Sequence, residues 1–138
     1  MIRPSRARGV FPVPAFLLAM LVGYALTVAV ETGVLLAGLS RRHRVRSRLI
    51  AGAWLTACTY PVVWLVLPPL FEERWVFLLV AETFAPLAEC VLFWLAFARH
   101  LPPDRRATRR DMAAIVVANL CSFAAGELFI AAGGFGWV

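Results

Sequence analysis

Four glutamates, Glu31, Glu82, Glu89 and Glu127, stand inside long apolar runs that contain none of the chain's 14 basic residues, all of them arginine. A carboxyl group in such surroundings is protonated, shares a proton with a neighbour, binds a cation or faces water. Glu82 and Glu89 are seven residues apart, which places them on one helix face two turns apart with Pro86 between them. Asn119, Ser122, Gly126 and Glu127 form a second polar stripe at helical spacing. At about 1.5 Å rise per residue, Glu31, Glu89 and Asn119 come out at similar depth, about 10 to 12 Å from the arginine-rich ends of their runs. Glu82 and Glu127 lie nearer the opposite ends, with Tyr60 between the two tiers. The expected site is therefore a two-tier proton or cation site of Glu31, Glu82, Glu89 and Glu127, with Asn119 and Tyr60 as neutral ligands. The competing expectation is that the same glutamates are protonated and only join helices.

An acidic residue at the centre of a membrane helix costs about 2.5 to 3.5 kcal/mol on the insertion scale. Even at half that cost, four of them oppose insertion by roughly 5 to 7 kcal/mol. Carboxyl groups facing lipid without a partner are thus not expected, and the helices that carry them must pack so as to hide them.

Those helices follow from composition. The chain has 138 residues, 62% hydrophobic and 16% charged, with a mean hydropathy of +0.79. Soluble domains run about 45 to 50% apolar and about 25% charged. Disorder, a collagen-like repeat and a disulfide-stapled module are excluded by the same apolar content, 9 Gly, 9 Pro and 3 Cys. A helix needs roughly 20 apolar residues to cross a bilayer, and the sequence offers four such runs, 15–39, 49–67, 75–97 and 112–132. Arg41 to Arg48, Pro68-Pro69 with Glu72 to Arg74, and Leu101 to Asp111 separate them by short connections. The fold class expected is all-α: a single polytopic membrane domain, residues 1–138, forming an antiparallel four-helix transmembrane bundle.

The basic residues set the orientation. Ten arginines flank the first and third connections, against four on the N-terminal arm and beside Trp75. Arginine-rich short loops stay in the cytoplasm, so both termini are expected outside an inner, cytoplasmic membrane. Arg3, Arg6 and Arg8 argue the other way, as a signal peptide would, but the first apolar run is longer than a signal h-region. Tryptophans near the run ends fit interface anchors: Trp64, Trp75 and Trp137 on one side, Trp54 and Trp94 on the other. The net charge of +6 is accounted for by these loops. No nucleic-acid-binding motif accompanies it, and no nucleic-acid partner is expected.

Small residues at four-residue spacing, Ala15, Ala19, Gly23, Thr27 and Glu31 in the first run and Ala114, Ala118, Ser122 and Gly126 in the fourth, mark close helix contacts. Pro61 and Pro86 should kink their helices, with Thr56, Thr59 and Thr83 placed to satisfy freed carbonyls. Gly133 and Gly134 read as a helix stop. Cys58, Cys90 and Cys121 lack the close spacing of a metal site and read as small buried packing residues. His43 and His100 fall in the arginine-rich loops and read as solvated. With no HExxH, GxSxG or phosphate-binding glycine loop, neither an enzyme nor a cofactor is expected.

The stretch Tyr60-Pro61-Val62-Val63-Trp64 to Leu67-Pro68-Pro69, with Ala81-Glu82, Glu89 and Ala118-Asn119-Leu120-Cys121-Ser122-Phe123, resembles a group of small bacterial four-span inner-membrane proteins to which no activity is assigned. The resemblance covers residues 49–127. It implies a bacterial membrane protein and brings no catalytic residues. Two functions stay open: a proton- or cation-handling transport-type subunit, and a non-transporting accessory or scaffold subunit of a larger membrane complex. One chain of this size makes a thin-walled pathway, so besides the lipid bilayer a homo-oligomer or a membrane-protein partner is expected.

Overall fold

The structure, a computed structural model, describes residues 13–134. The arginines of the N-terminal arm and Trp137 lie outside the described residues, as do the expectations attached to them. Four helices follow one another: α1 (Val13–Gly38), α2 (Val45–Pro61), α3 (Arg74–Phe93) and α4 (Arg105–Ala131). All four are long and apolar enough to cross a membrane. Large apolar side chains such as Leu79, Leu87, Val91, Leu120 and Leu128 face outward, while Glu31, Thr56, Glu89 and Asn119 are buried. This inversion of the usual soluble pattern suits a molecule whose solvent is hydrocarbon. The chain is an all-α, multi-pass membrane bundle.

Two helices begin earlier than hydropathy places them, α2 at Val45 and α4 at Arg105. Their first turns are arginine-rich, and arginine is a good helix former even where it is too polar for the bilayer. Asp104 caps α4 by accepting a hydrogen bond from the Ala107 N–H at 3.0 Å. At the far end Gly133 adopts φ +81°, and the Gly133 and Gly134 N–H groups reach back to the carbonyls of Ile130 and Phe129. The expected glycine stop is thus a Schellman turn.

Proline acts differently at its two positions. Past Pro61 the helix widens into a π-helical turn, Val62–Val66, closed by the Leu67 N–H to the Val62 carbonyl at 3.0 Å. The α-helical run continues through Pro86, and α3 widens only at Trp94–Ala98. Thr83 donates to the Leu79 carbonyl, and the hydroxyls of Thr56 and Thr59 lie within hydrogen-bond reach of the carbonyls of Gly52 and Leu55. A proline at position i frees the carbonyl at i−4, here Ala57 and Glu82, so the threonines do not fill the role expected of them.

The small-residue stripes are contact surfaces except at Gly126, where the expected close helix contact is not made: a Cβ there would meet nothing within 4 Å. A Cβ at Gly38 would meet Ala114, one at Gly52 would meet Thr32, and one at Gly23 would collide with the Tyr60 hydroxyl. α1 packs most extensively against α4 and α2, whereas α3 is held less closely. Leu35, Leu39, Leu55, Phe93, Ile115 and Ala118 fill the arginine-rich half as a continuous apolar core.

That half is also locked by a polar cluster. The carboxylate of Asp111, wholly buried, accepts from the Ser40 N–H at 2.6 Å, the Ser40 hydroxyl at 3.1 Å, and Arg42 Nη2 at 2.7 Å, and lies 3.0 Å from His43 Nε2. Arg48 donates to the Leu36 carbonyl and Arg110 to that of Gly38, answering open carbonyls at the end of α1, and Arg48 also donates to the Ser40 and His43 carbonyls of the connection. His43 is therefore a buried structural residue, its ring edge-on to Phe93, and not a solvated one. The cysteine expectation also changes: Cys58 and Cys121 are exposed on the outside of the bundle, and only Cys90 is partly buried.

Candidate functional site

All six residues expected in the site, Glu31, Tyr60, Glu82, Glu89, Asn119 and Glu127, line one cavity of about 410 Å³ in the arginine-poor half of the bundle. Each is placed by a different turn of the four helices. The cavity reaches from Arg74 and Glu127, which are exposed, down to Thr56 and Asn119, where the apolar core begins.

Its floor is a belt of hydrogen bonds that joins all four helices. Glu31 of α1 receives the Thr56 hydroxyl of α2 at 2.6 Å and the Ser122 hydroxyl of α4 at 2.8 Å. Glu89 of α3 receives the Thr59 hydroxyl of α2 at 2.7 Å and the Asn119 amide of α4 at 2.7 Å. Each carboxyl group thus bridges the same two helices, one turn apart, and each of its two oxygens has a donor. The cost of a carboxyl in the membrane interior is offset by partners that the sequence left unassigned to it.

The hydroxyl protons of this belt have a choice. Thr56 Oγ1 is also 2.9 Å from the Gly52 carbonyl, Thr59 Oγ1 is 3.1 Å from that of Leu55, and Ser122 Oγ is 3.0 Å from that of Asn119. A hydroxyl carries one proton and two lone pairs. Against an ionised carboxylate it donates to the carboxylate. Against a protonated carboxyl it accepts that proton and turns its own to the helix carbonyl one turn back. The belt keeps its contacts in either state, which is what a site that gains and loses protons requires.

The other expected residues separate by role. Glu127 is not isolated: Arg74 reaches it with contacts of 3.0 and 3.3 Å at the exposed end of the cavity. Arg74 stands just outside the apolar runs, so Glu127 has a counter-charge although no base lies within them. Tyr60 donates its hydroxyl proton to the Met20 carbonyl at 3.0 Å and stacks its ring on Trp64, 5.6 Å between centroids. Trp64 is accordingly a cavity wall and not only an interface anchor. Glu82, half-buried between the belt and the mouth, has no hydrogen bond or ion pair among the described residues. It is the one acid of the cavity whose carboxyl oxygens are uncommitted.

Among the described residues no three acidic, histidine or cysteine side chains converge closely enough to form a metal shell. The chain matches no protein-family model, no curated protein and no solved structure.

Proposed function

We propose that this chain is a cation-handling, transport-type subunit, with the proton as the ion that Glu31 and Glu89 exchange and the cavity as its way to the arginine-poor side. The observation that carries this reading is the belt: two carboxyl groups whose hydroxyl partners can re-aim, so that protonation and deprotonation both leave the carboxyl oxygens hydrogen-bonded. The core of Leu35, Leu39, Leu55, Phe93 and Ile115 closes the other half, so passage across the membrane needs a helix movement or a second subunit. With ten arginines on that closed side, the cavity faces outward from a bacterial inner membrane and both termini lie outside.

Charge-displacement currents on a solid-supported membrane test this directly. Proteoliposomes receiving a proton concentration jump give a transient current in the wild type. Glu89→Gln removes most of it while the protein remains folded and abundant. A wild-type protein that gives no current with any proton, Na⁺ or K⁺ jump refutes the reading.

One feature favours the second reading, an accessory subunit of a larger complex: all four carboxyl oxygens of the belt already join helices, as structural glue would. In that case Glu89→Gln changes stability alone and the chain co-purifies with a membrane partner. A lone monomer with no partner excludes it.

A further inference from the structure

The cavity is too large for the ion its floor handles. About 410 Å³ compares with about 30 Å³ for one water molecule and with about 300 to 1,000 Å³ for sites that take small organic molecules. Its walls are aromatic: Phe16, Tyr60, Trp64, Phe77, Phe123 and Phe129 all face it. Two of these rings, Tyr60 and Trp64, are locked to each other by stacking at 5.6 Å and 25°, and Phe16 leans on Trp64 at 6.0 Å. Phe16, Tyr60 and Trp64 are thus held against one another before anything binds. Ring faces attract positive charge and flat apolar surface alike.

The sign of the charge is equally restricted. The one base that lines the cavity among the described residues is Arg74, already engaged by Glu127 at the mouth. Among the described residues an anion would meet no uncommitted counter-charge. A cation meets Glu82, an acid without a hydrogen bond, set in the same wall. A bare metal ion is poorly served, because among the described residues no three ligating side chains converge.

We infer that the cavity binds an organic cation, its ammonium group at Glu82 and its apolar body against the ring of aromatic side chains. This deepens, and rests on, the cation-handling reading of the same cavity. Glu31 and Glu89 then hold the exchangeable proton beneath the ligand, while Glu82 meets its charge. Gly126 supplies the room: a Cβ at that position would meet nothing within 4 Å, although the residue lines the cavity.

The test is equilibrium binding to the purified full chain in detergent, with benzyltrimethylammonium as a probe whose charge does not titrate. Tetramethylammonium carries the charge without the body, and benzyl alcohol the body without the charge. Benzyltrimethylammonium should bind at least about tenfold more tightly than either. Glu82→Gln should weaken it by about tenfold or more, and Gly126→Leu should abolish binding by filling the void. Gly33→Leu, on an exposed helix face where a Cβ also meets nothing, should bind as the wild type does. All variants must keep the wild-type helical content and elution volume. Unchanged affinity in Glu82→Gln, or benzyl alcohol binding as tightly as the cation, as a cavity for lipid chains would give, overturns the inference. Proteoliposomes that give the proton current while the probe fails to bind overturn this inference alone; loss of both overturns the reading beneath it.

Discussion

At the scale of single residues, the described polar groups of the bundle fall into those with partners and those without, and the difference is measurable. Thr32 Oγ1 is buried against Gly52 with no hydrogen-bond partner. A buried hydroxyl without a partner costs free energy that a methyl of the same shape does not. Thr32→Val should therefore stabilise the protein by about 1 kcal/mol in reversible unfolding from mixed micelles; a loss of stability would mean that the hydroxyl has a partner in the membrane. Glu31→Gln is the counterpart. Its amide can still donate and accept, and its partners Thr56 and Ser122 can fall back on the carbonyls of Gly52 and Asn119. Interhelical hydrogen bonds in membranes average about 0.6 kcal/mol, so this variant should lose under about 1 kcal/mol in the same assay. A larger loss would show that the belt depends on one fixed charge state.

At the scale of elements, what the sequence reveals and what it hides divide along a physical line. Apolar length marks a span without reference to anything else, so α1 to α4 are legible, with errors only where helical arginine turns leave the bilayer at Val45 and Arg105. Spacing within one helix is legible too: Glu82 and Glu89 share a face, and both reach the cavity. Partners across helices are not, because nothing local tells Thr56 that it faces Glu31 or Thr59 that it faces Glu89. The same limit conceals Asp111, which resembles a loop acid in sequence and is instead the buried acceptor that ties the α1–α2 connection to α4. All of the donors around it suit a carboxylate, and one of them is an arginine. Asp111→Asn would turn an amide N–H toward these donors and leave Arg42 short of its counter-charge. Breaking a buried pair of this kind costs about 3 kcal/mol or more, and protease sensitivity in the loop of Arg41 to Arg48 should rise with it. Resistance equal to the wild type would show that the loop is held by Arg48 and Arg110 alone.

At the scale of the whole molecule, the bundle is asymmetric along the membrane normal. One half is closed by Leu35, Leu39, Leu55, Phe93 and Ile115 and by the Asp111 cluster; the other contains the cavity and ends at an exposed ion pair of Arg74 and Glu127. Water entering from the arginine-poor side can thus wet Gly126 but not Ile115, although both belong to α4 and lie eleven residues apart. Substituted-cysteine labelling in sealed vesicles reads this difference. In a background with Cys58, Cys90 and Cys121 replaced by alanine, Gly126→Cys should react with a charged, membrane-impermeant thiosulfonate applied to the arginine-poor side. Ile115→Cys should not react from either side. The rate depends on thiolate, and a thiolate forms only where water reaches, so the reagent separates an aqueous cavity from a lipid-filled one. Reaction of Ile115→Cys from the arginine-rich side would mean that the apolar half opens. A Gly126→Cys that reacts from neither side would mean that hydrocarbon fills the space above Glu31 and Glu89, and those carboxyls would then be left with a structural role and no route for an ion.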